Sequence, residues 1–188
     1  MKIGFQGDLY SNSHNAAIAY SKQSNIDLVE VPLINSYPVL DALVKQEIDY
    51  GVVAYENSTA GLVNETNIAI NAFKNNIEEV GEIILPIHHC LFGLASENKY
   101  HIKNIYSHEQ ALRQCDIFIR DSYPDAVIVP EKDTSLAALN LVSNKYTAES
   151  AVICNKECGF HYGLELIQEN IENNKNNQTT FKIFVRKG

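Results

Sequence analysis

A group of short polar side chains directly follows an apolar segment in the first half of the chain. Asn57, Ser58 and Thr59 come soon after the run 50–54, and Gly61 follows two residues later. Amide and hydroxyl groups can donate hydrogen bonds, and a glycine permits a positive φ or a close approach of backbone to a ligand. Because ligands of open α/β sheets bind beside the carboxyl ends of strands, these residues could hold a small anion. A capped turn without a ligand explains them equally well.

Two groups of potential metal ligands are present, and neither is favoured. His88, His89 and Cys90 are consecutive, and adjacent strand residues point to opposite faces, so His89 cannot join the other two. Cys154 and Cys158 have the spacing of one helix face but lack nearby partners for a four-ligand zinc site. The sequence therefore predicts no bound metal.

Polar residues also precede several segments with helical periodicity, where we expect them to act as N-caps. Ser107 is followed three residues later by Gln110, the spacing of a capping box, which gives Gln110 a structural explanation. Backbone N–H groups at helix starts could equally bind a carboxylate. His14 is expected at the surface. The expected caps are one of Ser11, Asn12 and Ser13 for the first helix, then Asn64, Ser107 and the stretch Asp133-Thr134-Ser135.

Composition limits the classes of protein that this sequence can encode. The 188 residues are 45% hydrophobic and 20% charged, which is ordinary for a globular protein. A formal net charge of -8 without a basic stripe argues against nucleic acid as a partner. The four dispersed cysteines are expected to be free thiols in a reducing compartment. Because the N-terminus reads directly as a strand, without a leader, we expect a cytoplasmic protein with no membrane segment.

Strand and helix patterns alternate along the chain and predict an α/β protein. A β-rich stretch, 80–94, contains Pro86, which indicates a bend, bulge or strand edge, and the run 172–178 is polar and predicted to be structureless. Predicted strands cover 2–6, 28–33, 50–55, 104–106, 126–129, 151–153, 165–169 and 179–186. Predicted helices cover 13–22, 37–46, 64–75, 108–120, 134–144 and 155–162.

This alternation predicts two lobes within one domain of 188 residues. The first lobe would contain about 1–79 and 171–188, with the last strand returning to it, and the second about 80–170. Central mixed sheets flanked by helices would form each lobe. A cleft between two such lobes is a common place for a small ligand.

Four segments, taken in order, resemble the catalytic domain of prephenate dehydratases: 56–63, 81–89, 106–112 and 177–181. The opening segments 5–7 and 12–14 are similar to one branch of that family, so the resemblance covers nearly the whole chain. It implies a two-lobed fold like that of type II periplasmic binding proteins. It also implies prephenate as the substrate, bound in the cleft without a metal or organic cofactor, and a homodimer or larger assembly.

The family reaction, a lyase reaction, converts prephenate to phenylpyruvate, and the resemblance implies roles for specific residues. Thr179 would donate a hydrogen bond to the leaving hydroxyl. Glu56 would support the loop or assist proton movement. The other catalytic residues implied are Asn57 and Gln110, and the substrate-binding residues are Ser13, Ser58, Thr59, Gly61, Thr180 and Phe181, with Phe181 forming a wall of the site.

Two departures from the family pattern leave alternatives open. Thr180 stands where the family usually has arginine, so a charge-assisted contact or a structural ion pair is missing. Only residues 182–188 follow Phe181, so we expect no ACT regulatory domain and no feedback by phenylalanine. The alternatives are an arogenate dehydratase, a prephenate decarboxylase that does not aromatise the ring, and a non-catalytic protein that binds small anions.

Overall fold

The computed structural model describes residues 1–95 and 101–188 and divides into two compact units. Unit 1 contains Met1–Ile87 and Asn177–Gly188, and unit 2 contains His88–Asn176. These boundaries differ from the predicted ones, because residues 80–86 continue a strand of unit 1, Ile87 also belongs to that unit, and residues 171–176 belong to unit 2. Residues 96–100, which belong to the predicted second lobe, lie outside the described residues.

The helices and strands follow the predicted alternation closely. The main additions are a short strand after Thr59 and a break in the helix predicted at 108–120, where Cys115 leaves the helical conformation. In chain order the elements are β1 (Lys2–Gln6), α1 (Asn12–Ser24), β2 (Val29–Leu33), α2 (Ser36–Val44), β3 (Tyr50–Asn57), β4 (Gly61–Leu62), α3 (Asn64–Phe73), β5 (Ile77–Pro86), β6 (Cys90–Gly93), β7 (Asn104–His108), α4 (Glu109–Gln114), α5 (Asp116–Ser122), β8 (Val127–Glu131), α6 (Thr134–Val142), β9 (Ser150–Cys154), α7 (Lys156–His161), β10 (Glu165–Gln168) and β11 (Gln178–Arg186).

Unit 1 is built on a mixed sheet with the strand order β2-β1-β3-β11-β5, and β4 pairs with β3 beside this path. Strands β1, β2 and β3 are parallel, whereas the returning strand β11 runs antiparallel to both β3 and β5. Val52 packs in a core cluster with α1, and Val53 packs in a second cluster with α2 and α3. The sheet is therefore covered on both faces, as the continuous apolar run in β3 predicts.

Unit 2 has a mixed sheet with the strand order β10-β6-β9-β7-β8. Strands β7, β8 and β9 are parallel, and β6 and β10 are antiparallel neighbours. Leu91, Ile105 and Ile153 form its core together with Leu112 from α4. The α/β fold with two mixed sheets flanked by helices agrees with the predicted fold class.

Two of the predicted helix caps are confirmed and two are wrong. The side chains of Ser11 and Asp133 accept backbone N–H groups at the starts of α1 and α6. Helix α3 instead has Val63 at its N-cap position, without a side-chain hydrogen bond, and Asn64 is already helical. The capping box at Ser107 does not form, because its hydroxyl donates to the carbonyl of Ile153 in the neighbouring strand β9. His108 caps α4 through Nδ1.

Pro86 ends β5, which is an edge strand of its sheet, in agreement with the prediction. Cys154 and Cys158 do not share a helix, because Cys154 ends β9 and α7 begins only at Lys156 after the cap Asn155. The four cysteines are free and buried, as predicted.

Candidate active site

Three strands of unit 1 have ends that meet on the side of the sheet where the parallel strands finish, and this side is called the sheet edge below. Because β1 and β3 are parallel, their carboxyl ends lie on the same edge, and the amino end of the antiparallel strand β11 joins them there. Helices α1 and α2 follow the carboxyl ends of β1 and β2, so they begin on this side of the sheet. Helix α3 follows the short hairpin of β3 and β4 and begins beside α2, where Thr66 contacts Ser36. Backbone N–H groups at helix starts attract anions, which makes this edge suitable for an anionic ligand.

A β-bulge directs Asn57 toward Thr179. Along β11, Thr180 pairs with Glu56 and the next residue, Phe181, pairs with Ala54, so Tyr55 is an extra residue in β3. Side chains alternate between the faces of a strand, and the extra residue shifts this alternation by one position. Asn57 and Thr179 consequently lie on the same face, and the amide Nδ2 of Asn57 donates to Thr179 Oγ1 over 2.9 Å.

The orientation of the Asn57 amide follows from its partners. Its Oδ1 accepts the backbone N–H groups of Thr59 at 3.0 Å and Ala60 at 2.9 Å, so the opposite end of the amide must be the donor. That donor, Nδ2, lies 2.8 Å from Asn177 Oδ1 and 3.2 Å from the carbonyl of Gln178, in addition to its contact with Thr179. Asn57 is 5% exposed, so the surrounding structure determines the direction of its hydrogen bonds.

This arrangement makes Thr179 a hydrogen-bond donor toward any ligand. The Asn57 amide donates to the oxygen of Thr179 and so occupies one of its acceptor positions. Among the described residues, the hydroxyl hydrogen of Thr179 has no acceptor. A hydroxyl that already accepts a hydrogen bond can still donate its own hydrogen. Thr179 is 8% exposed, so this hydrogen is held near the surface of the sheet edge rather than in bulk solvent.

The residues after Asn57 form a short hairpin rather than an open loop. The backbone N–H of Ser58 donates to the carbonyl of Gln178 at 2.8 Å, and the Ser58 hydroxyl accepts the N–H of Gln178 at 2.9 Å. Gly61 has a φ of 79° and pairs with Asn57, so it provides the positive φ that the sequence predicts. Thr59 donates through Oγ1 to Asn177 Oδ1 at 3.3 Å.

Glu56 and Thr180 lie on the other face of the sheet. They are directly paired across β3 and β11, and each is adjacent in its strand to a residue of the Asn57–Thr179 pair. Glu56 is exposed, and Thr180 is half-buried beside Ile84 of β5. A side chain at position 180 therefore points away from the Thr179 hydroxyl.

Three other predicted residues occupy different surroundings. Phe181 is 1% exposed and packs in the core of unit 1, in the same cluster as Phe5, and its role as a wall of the site stays a prediction. Ser13 is buried in the first turn of α1. Gln110 lies in unit 2 at the start of α4, where it is half-buried and its N–H donates to His108 Nδ1. Contacts of Ser13 and Gln110 with substrate stay predictions.

His14 is not a surface residue, contrary to the expectation. Only 4% of it is exposed, and its Nδ1 accepts the N–H of Tyr10 at 2.9 Å. Its Nε2 lies 3.0 Å from Oε2 of Glu30 without good hydrogen-bond alignment. The imidazole thus supports the left-handed backbone of Tyr10, which has a φ of 65°, just before α1.

A buried polar network beneath the strand ends was not predicted from the sequence. Gln6 Oε1 accepts the Ser36 hydroxyl at 2.9 Å and the Ala54 N–H at 3.1 Å, and Ser36 Oγ lies 2.5 Å from Thr66 Oγ1. These contacts join β1, α2, β3 and α3. A glutamine at the end of an apolar strand is the sequence signal that indicates such a network.

The run predicted to be structureless also contains buried polar residues. Glu172 is 1% exposed and accepts hydrogen bonds from His88 Nδ1 and from the N–H of His89, both at 2.9 Å. His89 Nε2 in turn contacts Gln114 Oε1 at 2.8 Å. Burial raises the pKa of Glu172, but these hydrogen bonds outweigh it and hold the pKa below its ordinary value. The segment is thus ordered by side-chain contacts instead of by the hydrogen bonds of a β-sheet.

Within the described part of the chain, no group of three or more His, Cys, Asp or Glu side chains is arranged to hold a metal ion. No helix in residues 1–95 or 101–188 has the length and apolar character needed to cross a bilayer.

Two mixed sheets flanked by helices, with amide and hydroxyl donors gathered at the carboxyl ends of parallel strands, define an α/β protein of the class that binds small molecules at such an edge. The family model for prephenate dehydratase matches residues 3–188. The chain belongs to the prephenate dehydratase family.

Relatives and a solved structure agree with this assignment. The bifunctional chorismate mutase/prephenate dehydratase of Buchnera aphidicola is 32% identical over 186 residues, covering 98% of this chain and 47% of the relative. The prephenate dehydratase of Lactococcus lactis is 37% identical over 143 residues, covering 76% of this chain and 50% of the relative. The crystal structure of prephenate dehydratase from Arthrobacter aurescens in complex with L-Phe superimposes with a TM-score of 0.89 at 25% identity, covering 100% of this chain and 61% of that one. This chain spans about half the length of the curated relatives that it matches.

Proposed function

We propose that this chain is the catalytic part of a prephenate dehydratase, a lyase that converts prephenate to phenylpyruvate, carbon dioxide and water. The observation that carries the proposal is the Thr179 hydroxyl, which the Asn57 amide holds as a donor at the sheet edge. Membership of the family supports the substrate class.

The reaction has two physical requirements that this edge can meet. The bond between the ring and its carboxylate breaks, its electron pair enters the ring, and the para carbon–oxygen bond breaks as the ring becomes aromatic. Hydroxide is a poor leaving group, so the departing oxygen needs a positioned donor and finally a proton to leave as water. In the proposal Thr179 supplies the hydrogen bond to that oxygen.

The substrate is a dianion, whereas the chain carries a formal net charge of -8. Long-range attraction therefore does not favour binding, and local donors must hold the substrate carboxylates. The N–H groups at the starts of α1, α2 and α3 are suitable donors within unit 1. We propose that Ser58, Thr59, Gly61 and Ser13 line this part of the site.

Glu56 fits the supporting role better than a role in proton movement. Its pairing with Thr180 and Leu62 places it between two strands, on the face opposite to Thr179. We assign to it the support of the hairpin that presents Asn57, Ser58 and Thr59.

Purified protein mixed with prephenate tests the proposal through the formation of phenylpyruvate. Thr179→Val keeps the shape of the side chain but removes the hydroxyl, and we expect it to lower kcat by about 10²- to 10⁴-fold. Thr179→Ser, the matched control, keeps the donor and should retain most of the activity. Full activity in Thr179→Val would refute the assigned role.

Product analysis separates the alternatives. A non-aromatic keto acid as product would identify a decarboxylase, and faster turnover of arogenate would identify an arogenate dehydratase. Binding of prephenate without turnover would support a non-catalytic binding protein.

We further propose a cytoplasmic homodimer or larger homo-oligomer. The four buried free thiols support a reducing compartment. The edge strand β5, with Val80 and Ile84 exposed, supports self-association because an unpaired strand edge is available to a partner. Light scattering on the purified protein tests the assembly, and a monomer would contradict it.

A further inference from the structure

Asn177 lies at the point where the chain returns to unit 1, immediately before β11. Its backbone carbonyl accepts the N–H of Ile87 at 2.9 Å, which joins the returning segment to the end of the segment that leaves the unit. Although its neighbours Lys175 and Asn176 are exposed, Asn177 is only 2% exposed. The position of Asn177 is thus determined by the backbone on both sides of it.

The side chain of Asn177 contacts two predicted site residues at once. Its Oδ1 accepts Asn57 Nδ2 at 2.8 Å and Thr59 Oγ1 at 3.3 Å. An amide nitrogen carries two hydrogens that point about 120° apart in one plane. When one hydrogen of Asn57 is directed at Asn177, the other is available to Thr179 Oγ1 at 2.9 Å, with the carbonyl of Gln178 farther away at 3.2 Å.

We propose that Asn177 is a positioning residue for the dehydratase reaction. Together with the N–H groups of Thr59 and Ala60, it fixes the rotation of the Asn57 amide and, through that amide, keeps the Thr179 hydroxyl oriented as a donor toward the leaving group. The inference rests on the proposed function and adds a residue to which the sequence assigned no role.

Asn177→Ala removes the acceptor and provides the first test. We expect kcat to fall about 10- to 100-fold while KM for prephenate changes little, because a misplaced donor affects the transition state more than binding. Asn176→Ala, at the adjacent exposed amide, is the matched control, and its kcat and KM should equal those of the wild type. In an Asn57→Ala background, Asn177→Ala should cause no further loss. An equal loss in both backgrounds would overturn the proposal.

Asn177→Asp is the conservative variant, because it keeps an oxygen that can accept from Asn57 and Thr59. We expect it to recover kcat relative to Asn177→Ala and to raise KM, since the added negative charge opposes an anionic substrate. If Asn177→Ala does not fold, the split between kcat and KM in Asn177→Asp carries the kinetic test, and a loss confined to kcat would overturn the proposal.

The side-chain amide signals of Asn57 in a heteronuclear NMR spectrum give a readout that does not depend on activity. They should shift in Asn177→Ala but not in Asn176→Ala, and unchanged signals would refute the inferred contact. If the wild-type protein forms no phenylpyruvate, the proposed function fails, yet these signals still decide whether Asn177 orients Asn57.

Discussion

At the scale of single residues, the direction of one hydrogen bond determines what the site can do. Backbone N–H groups of Thr59 and Ala60 hold Asn57 Oδ1, so Nδ2 faces Thr179 and the threonine hydroxyl keeps its own hydrogen. A side chain that accepted from Thr179 instead would take that hydrogen away. The chemical character of Thr179 is therefore controlled by its neighbour.

Asn57→Asp tests this control. The new carboxylate can still accept from Thr59 and Ala60, so the turn should persist, but it has no hydrogen for Thr179 and would accept from the hydroxyl. We expect kcat to fall by about 100-fold. The melting temperature should also fall, because the new oxygen would face Asn177 Oδ1 and the carbonyl of Gln178 with no hydrogen to donate. Steady-state kinetics with prephenate and calorimetry check this, and an unchanged kcat would contradict it.

Thr180, which stands where the family usually has arginine, has a structural interpretation. It pairs with Glu56 on the face of the sheet opposite to the Thr179 hydroxyl. An arginine at this position would be a cross-strand neighbour of a carboxylate, an arrangement that stabilises a sheet modestly. The structure thus favours the missing ion pair over a missing charge-assisted contact with the substrate.

Thr180→Arg should accordingly change stability rather than turnover. We expect the free energy of unfolding to rise by at most about 1 kcal/mol, because the pair with Glu56 is exposed, and kcat to stay within a factor of a few. Urea unfolding measures the first quantity. The same substitution in a Glu56→Gln background is the control, where the gain should disappear. A large increase in kcat would instead show that the native chain is an attenuated enzyme.

At the scale of elements, the segment between β10 and β11 is held by buried polar contacts. Glu172 binds His88 and His89, and His89 also contacts Gln114. Burial lowers the pKa of His89, an effect that the contacts with Gln114 and Glu172 only partly offset. His89 is therefore neutral in the folded protein at neutral pH.

This shift makes stability depend on pH in a specific direction. An unfolded histidine titrates near pH 6.5, and the folded pKa of His89 is lower, so below about pH 6.5 the unfolded state takes up the proton first. The contribution of His89 to the free energy of unfolding is complete above that pH, and it decreases as the pH falls toward the folded pKa. Urea unfolding at a series of pH values from 5 to 7.5 should show this decrease, with a smaller slope in His89→Gln. An identical slope in both proteins would contradict it.

At the scale of the whole molecule, the cysteines are buried within unit 2. Burial raises the pKa of Cys90 and of Cys115, and a contact with Cys158 together with burial raises that of Cys154. A thiol with a raised pKa is protonated at neutral pH, and it reacts poorly because the thiolate is the nucleophile. These cysteines act as small apolar side chains in the core.

The folded protein should therefore resist thiol reagents. We expect almost no reaction with an aromatic disulfide reagent at pH 8 over minutes, and four reactive thiols after denaturation in guanidinium chloride. Absorbance of the released thiolate measures both. A thiol that reacts rapidly in the folded protein would contradict the burial of these side chains.

The sequence by itself determined most of the elements and indicated candidate site residues. Apolar periodicity located β1 and β11 nearly to the residue, Ser11 and Asp133 capped their helices as predicted, and the motifs pointed to Asn57 and Thr179. These features depend on neighbouring residues, which a linear pattern contains.

Only the tertiary structure decided how these residues meet. The bulge at Tyr55 turns Asn57 to the face of Thr179, which is 122 residues away in the chain. Thr180 lies on the other face because adjacent residues of a strand alternate. The tertiary structure also brings Asn177, from a run predicted to be structureless, into contact with both Asn57 and Thr59. Strand register and bulges result from pairing between distant segments, so no local pattern specifies them. A register shift of one residue moves every side chain of the strand to the opposite face of the sheet.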